Sequence, residues 1–383
     1  YAEYRGLRMT EEINNIVGEP DLSLIPDNIK PGKLPPELLD MIEFGYSIDR
    51  QGLPECLKVL AAYYNDFAGL KGASAIKPDQ IIMADGARTA ASVILIYLIN
   101  YYEDNGINWP RALLIKPGYN LYDEQFEDLG YGVDLVSVPE SLSDAEKIDT
   151  IRRAIKPDTV ILPITNPNNP TGEIYSEQFL RGLLGLLAEF PQLNIINDAV
   201  YDHIYRKNVK QPVSVFAIAT PEQRRRVFEV NSLAKSYSYP AIRAGWAIGD
   251  EALMAAIQET KDPMLGPLNN IAQLVTISAL KYSPKDYHEK VNAVYDRRLK
   301  LVHEKLHTIK GFKTKFPEGA FYYFADFSGL KITAEEIVKK LAGQGIKLSY
   351  GGKFGAPNCI RINCGAKEEA LTKICDAIIA ACK

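Results

Sequence analysis

Six short apolar runs fill the middle of the chain: RALLIKP (111–117), GVDLVSVP (132–139), TVILPITNP (159–167), LNIINDAVY (193–201), RRVFEVNS (225–232) and AGWAIGD (244–250). Runs this short and continuously apolar suit strands covered on both faces. Helical patterns lie between several of them, over 87–103 and over 176–189, the second opened by Ser176 as a helix cap. Strand and helix in alternation predict an α/β architecture with a mostly parallel sheet. After about residue 282 the pattern changes to one long charged helix, DYHEKVNAVYDRRLKLVHEKLH, followed by the strands FYYFADF and CIRINCG and two further helices. This predicts a large domain over 46–282 and a smaller α+β domain built from 1–45 and 283–383. At 383 residues the chain has room for both.

Composition narrows the function classes. Hydrophobic residues at 46% and charged residues at 24% are those of a globular protein. The net charge of −4 is dispersed, apart from the short run Arg224, Arg225, Arg226, which argues against nucleic acid or an anionic membrane as partner. No apolar run approaches bilayer-spanning length, and the opening YAEYRGLRMTEEINN lacks the pattern of a secretory signal. Five cysteines without CxxC spacing favour a reducing compartment, so a cytoplasmic location is expected.

Ligands of open parallel sheets bind beyond the carboxyl ends of the strands. There the chain places DGARTAA (85–91), PGYNLY (117–122), NPNNPTG (166–172), NDAVY (197–201) and SLAKS (232–236). Lys235, set among apolar strands and small residues, loses part of its solvation in such a position, which lowers its pKa and frees an amine to form a Schiff base with a carbonyl compound. A lone lysine is more often a surface residue, but Ser232 and Arg243 share its stretch, and a hydroxyl with a guanidinium suits a phosphate. Gly86 opens a helix, where a glycine lets backbone approach an anion; plain turn chemistry is the competing explanation. Asp198 ends a very apolar strand, where a carboxylate needs a partner. A protonated ring nitrogen is one such partner, and a helix cap or a structural salt bridge is another.

Taken in order, NPNNPTG, NDAVY and SLAKSYSYPAIRAG resemble the signature of the class I/II aminotransferases, fold type I enzymes that use pyridoxal 5′-phosphate. VGEPDLS (17–23), GYSIDRQGLPECLKVLAAYY (45–64), PEGAFYYFADFS (317–328) and FGAPNCIRINCG (354–365) resemble further segments, so the likeness spans nearly the whole chain. It implies a mostly parallel seven-stranded sheet flanked by helices, with a smaller α+β domain from the two ends of the chain. It also implies Lys235 as the Schiff-base lysine and proton carrier, and Asp198 as partner of the pyridine nitrogen. Asn169 and Tyr201 become donors to the cofactor's 3-oxygen, and Tyr119 the aromatic that stacks on its ring. Ser232, Arg243, Gly86 and the amides around Ala87 and Arg88 become the phosphate site. Arg361 is implied as the fork for the substrate α-carboxylate, with Asn169 beside it, and Gly18 and Lys33 as part of a segment that closes over substrate. Tyr46 resembles a tyrosine that reaches the neighbouring subunit's phosphate, which implies a homodimer with shared sites. The implied reaction moves an amino group between an L-amino acid and a 2-oxo acid.

The chain departs from the family pattern at three places. Ala199 stands where a glutamate is usual, Ala234 where a second serine is usual, and Ala241, after Pro240, where a glycine is usual. The same residues would serve a C–S lyase or a cyclising or biosynthetic enzyme of this fold, and a sensor that binds cofactor without turnover is the reading from another class. HEKLH (303–307) matches the HExxH zinc pattern, but Leu299, Val302, Leu306 and Ile309 already define the buried face of its helix, and no metal is expected.

Overall fold

The computed structural model describes residues 12–30, 32–42 and 49–383. Among them the strands are β1 (Ile13–Asn14), β2 (Ile81–Ala84), β3 (Arg111–Lys116), β4 (Gly132–Ser137), β5 (Thr159–Thr165), β6 (Asn194–Asp198), β7 (Val227–Ser232), β8 (Gly245–Ile248), β9 (Tyr322–Asp326), β10 (Ile346–Lys347), β11 (Ser349–Tyr350) and β12 (Cys359–Asn363). Seven of them form one sheet in the order β2-β8-β7-β6-β5-β3-β4. Its pairs from β7 to β4 are parallel, and β8 runs antiparallel to both β2 and β7. Every residue of β5, β6 and β7 is buried, the outcome expected of apolar runs covered by helices on both faces. The sequence pattern does not single out β2, since IIMA is too short to display a period.

The helix Glu177–Glu189 shows how the covering layer is built. Ser176 Oγ accepts a hydrogen bond from Phe179 N at 3.0 Å, closing the first turn. Leu180, Leu183, Leu184 and Leu187 then recur at helical spacing and are buried against the sheet. On the opposite face, the helix Ala87–Asp104 packs Ala90, Ile94 and Leu98 into a second apolar cluster with Ile82 and Ala247.

The remaining strands form two small sheets. β11, β12 and β9 are antiparallel in that order, and β1 pairs in parallel with β10, Ile13 opposite Ile346 and Asn14 opposite Lys347. The long helix Tyr287–Leu306 serves two cores. Tyr287, Val291 and Tyr295 pack with Leu274, Val275 and Phe321, whereas Leu299, Val302 and Leu306 pack with Ile337, Ile360 and Ile374. His303 and His307 flank that apolar stripe; His303 Nδ1 lies 2.9 Å from Tyr323 Oη and His307 Nδ1 lies 2.8 Å from the carbonyl oxygen of His303. Among the described residues no group of three or more His, Cys, Asp and Glu could hold a metal ion, and no helix is long and apolar enough to cross a membrane.

A buried ion pair fastens the N-terminal segment to this helix. Arg298 Nη2 donates to Asp21 Oδ2 at 2.6 Å, both side chains are only 7% exposed, and Arg298 Nη1 donates to Gly365 O at 3.2 Å. Removing one partner of such a pair strands the other charge. We expect Asp21→Ala to lower stability by about 3 kcal/mol, read as a reduced midpoint in chemical denaturation.

Candidate active site

The parallel register sets Thr165 at the end of β5 beside Asp198 at the end of β6, and β7 delivers Ser232 on the next strand. Beyond these ends opens a cavity of about 310 Å³ whose walls include Gly86, Ala87, Arg88, Tyr119, Asn169, Asp198, Tyr201, Ser232, Lys235 and Arg243. Loops that are far apart in sequence thus supply one crevice.

One corner is built for an anion. The helix Ala87–Asp104 begins after Gly86, which has φ of 100° and provides no side-chain cap, so the first-turn amides face outward at the positive end of an 18-residue helix. Arg243 stands over this turn, donating from Nη2 to Asp85 O at 2.9 Å and from Nη1 to Pro240 O at 3.0 Å. A Cβ at Gly86 would lie 2.5 Å from Arg243 Nη2, so glycine leaves the space that the guanidinium occupies. Gly245 on β8 has the same function from below: a Cβ there would fall 2.3 Å from Gly86 C and 2.5 Å from Ala87 N. Ser232 Oγ, accepting from Ala234 N at 3.3 Å, completes the donor set. The Pro240–Ile242 turn carries Ala241 exposed, and the left-handed conformation falls on Arg243 itself, at φ of 57°. No glycine is therefore required at position 241.

The opposite wall carries the ionisable groups. Asp198 is buried; Tyr122 Oη donates to its Oδ2 at 3.0 Å and Val200 N to its Oδ1 at 3.4 Å. Burial pushes this carboxyl up to about 6. Lys235 Nζ donates to Gly18 O, and burial, with the nearby Arg361 charge, pulls its pKa down to about 8. Tyr119 meets Tyr122 edge to face at 5.2 Å and accepts from Arg88 Nη2 at 2.8 Å through its hydroxyl. The Tyr201 and Tyr322 hydroxyls are 2.8 Å apart.

Arg361, on β12, is not among the residues lining the cavity but contacts one of them, Asn169. It is 4% exposed, donates from Nη1 to Asn169 Oδ1 at 2.9 Å and from Nη2 to Ile16 O at 2.7 Å, and lies over the Tyr322 and Phe354 rings at 4.5 and 4.8 Å. Ser349 Oγ is a longer partner at 3.4 Å. All these partners are neutral, and among the described residues Arg361 Nε is buried without any. A buried guanidinium held by neutral groups is able to accept an anion.

Lys33 is exposed and is not among the residues lining the cavity, and Tyr46 falls outside the described residues. Tyr122, Tyr322 and Ser349 are contacts that sequence reasoning missed. Tyr122 alone had a local signal, standing three residues after Tyr119 in PGYNLY.

A family model described as aminotransferase class I and II matches residues 13–378. A probable aspartate/prephenate aminotransferase of Rhizobium leguminosarum is 26% identical over 374 residues, covering 94% of this chain and 88% of the relative. The aspartate/prephenate aminotransferase of Thermus thermophilus is 28% identical over 328 residues, covering 84% and 79%. Among solved structures, aspartate aminotransferase from Thermus thermophilus with maleate superposes with a TM-score of 0.82 at 24% identity, covering 99% of this chain and 93% of that one. The Rhizobium meliloti aspartate aminotransferase gives 0.85 at 24% identity, covering 97% and 91%. The chain belongs to the class I and II aminotransferases and has their fold type I architecture. It is a pyridoxal-phosphate-dependent aminotransferase, acting on amino acids and 2-oxo acids.

The crevice fits that cofactor: the glycine-lined cradle and its amide, hydroxyl and guanidinium donors suit the phosphate, and a half-buried amine and a buried carboxylate stand on the far wall. Gly245→Ala forces β8 away from the Gly86 turn. We expect it to cost roughly 1–3 kcal/mol, the usual range for overpacking, and to weaken binding of pyridoxal phosphate in a titration of cofactor-free protein.

Proposed function

We propose that Lys235, Asp198 and the Gly86–Arg243 cradle form the working centre of this aminotransferase. The observation that carries the reading is the convergence, in one cavity, of a half-buried amine, a buried carboxylate and an anion cradle. Bound there, pyridoxal phosphate supplies an aldehyde that condenses with amines and a ring that accepts electrons.

The chain's residues do the rest. Ser232, Arg243 and the amides of Ala87 and Arg88 would hold the phosphate, and Tyr119 would pack against the ring. Asp198, in its charged form, keeps the ring nitrogen protonated, and the burial that raises its pKa makes that pairing favourable. Tyr201 and Asn169 donate to the ring oxygen. Lys235, with its amine neutral above about pH 8, would take and carry the proton of the substrate's Cα, the bound cofactor supplying the electron sink. Arg361 binds the α-carboxylate, the anion that its neutral partners leave room for. Gly18 must remain glycine because a Cβ would lie 2.3 Å from Tyr322 Oη, and the N-terminal segment that contains it screens the amine from water. Relatives named for aspartate make an acidic amino acid the first donor to test. We further propose a homodimer with shared sites and a cytoplasmic location.

Two measurements check the reading. With one amino acid and no oxo acid, the protein is expected to release one equivalent of 2-oxo acid per site and stop; continuous ammonia release would instead establish an eliminating enzyme. Attachment of pyridoxal phosphate to cofactor-free protein needs the neutral amine of Lys235. Its rate is expected to rise about tenfold per pH unit and level off above about pH 8.

A further inference from the structure

Asp198 has few supports for a carboxylate at the end of a fully buried strand. Among the described residues its Oδ1 receives only the long 3.4 Å contact from Val200 N, while its Oδ2 receives the Tyr122 hydroxyl at 3.0 Å. Ala199, next in the chain, turns its own amide to Val230 O at 2.9 Å and adds no donor. Tyr122 is buried, lines the same cavity and is wedged edge to face between Tyr119 at 5.2 Å and Phe126 at 6.0 Å, so its ring has little freedom and its hydroxyl is aimed.

We propose that Tyr122 is a positioning residue that acts on the cofactor's ring nitrogen through Asp198: it occupies Oδ2, holds the carboxylate in its charged form and leaves Oδ1 for the ring. The same side chain braces Tyr119, so the edge and the face of the ring are set by residues in mutual contact. Burial drives the Tyr122 hydroxyl well above its ordinary pKa, which keeps it a donor at every working pH. This inference rests on the reading of Asp198 given above.

The test compares binding of pyridoxal phosphate with binding of its 1-deaza analogue, in which carbon replaces the ring nitrogen, to cofactor-free protein. Wild type is expected to prefer the natural cofactor. Tyr122→Phe keeps the ring packing, and is expected to lose about tenfold or more of its affinity for pyridoxal phosphate, the scale of one hydrogen bond to a charged group, and little for the analogue. Tyr122→Leu should erase the preference as well. Tyr131→Phe removes another buried hydroxyl, which donates to Leu95 O at 2.6 Å and does not line the cavity, and should leave the preference intact. A wild-type preference that both Tyr122 variants retain would overturn the role of Tyr122 alone. Equal binding of the two compounds by wild type would overturn the reading of Asp198, and this proposal with it.

Discussion

Everything in the crevice depends on keeping opposite charges out of water at the ends of neighbouring parallel strands. Asp198, buried, closes β6 and Lys235, half-buried, follows β7; loss of solvation pushes each toward its neutral form, the acid to about 6 and the amine to about 8. Neither shift helps the fold. A buried carboxylate with no ion pair among the described residues and an amine that donates to a backbone carbonyl are costs that a purely structural core avoids. They are useful when a cationic ring nitrogen and an aldehyde are to be bound, because the group that binds then supplies the missing partner.

The backbone makes that arrangement possible at close quarters. The Gly86 turn and β8 approach until no Cβ fits at Gly245, which fixes the start of the helix Ala87–Asp104 against the sheet and points its free amides at the crevice. From the other side, Arg361 ties β12 to Asn169 and to the N-terminal segment, while Asn363 holds Val17 O and Glu19 O at 2.8 and 2.9 Å. The segments around Gly18 and Arg361 thus meet beside Lys235 and Asn169, and Arg298 with Asp21 ties the first of them to the long helix.

Much of the sheet was legible because β5, β6 and β7 are apolar along their whole length, and a fully covered strand shows itself without any partner. Lys235, Asp198 and Ser232 were legible for a related reason: they are polar residues at the abrupt ends of such strands. Asn169, Tyr201 and Arg361 needed the family resemblance, since nothing in a window around Arg361 shows that its guanidinium meets a loop 192 residues away. Tyr322 and Ser349 were out of reach, because their contacts depend on how β9, β11 and β12 register and where the N-terminal segment threads. Asp202 was equally hidden. It is buried behind the lysine segment, where Asn231 Nδ2 and Ser236 Oγ donate to it at 2.7 and 3.0 Å and burial pushes it up to about 7.

Borohydride reduction of the yellow cofactor-loaded protein, followed by peptide mapping, tests the account most directly. Among the described residues another lysine also has a lowered pKa: Lys261, buried, whose Nζ donates to Arg50 O at 2.5 Å and to Met83 O away from the crevice. The account predicts one label per chain, on Lys235. A label on Lys261, or a protein that stays colourless and unlabelled when pyridoxal phosphate is supplied, would contradict it.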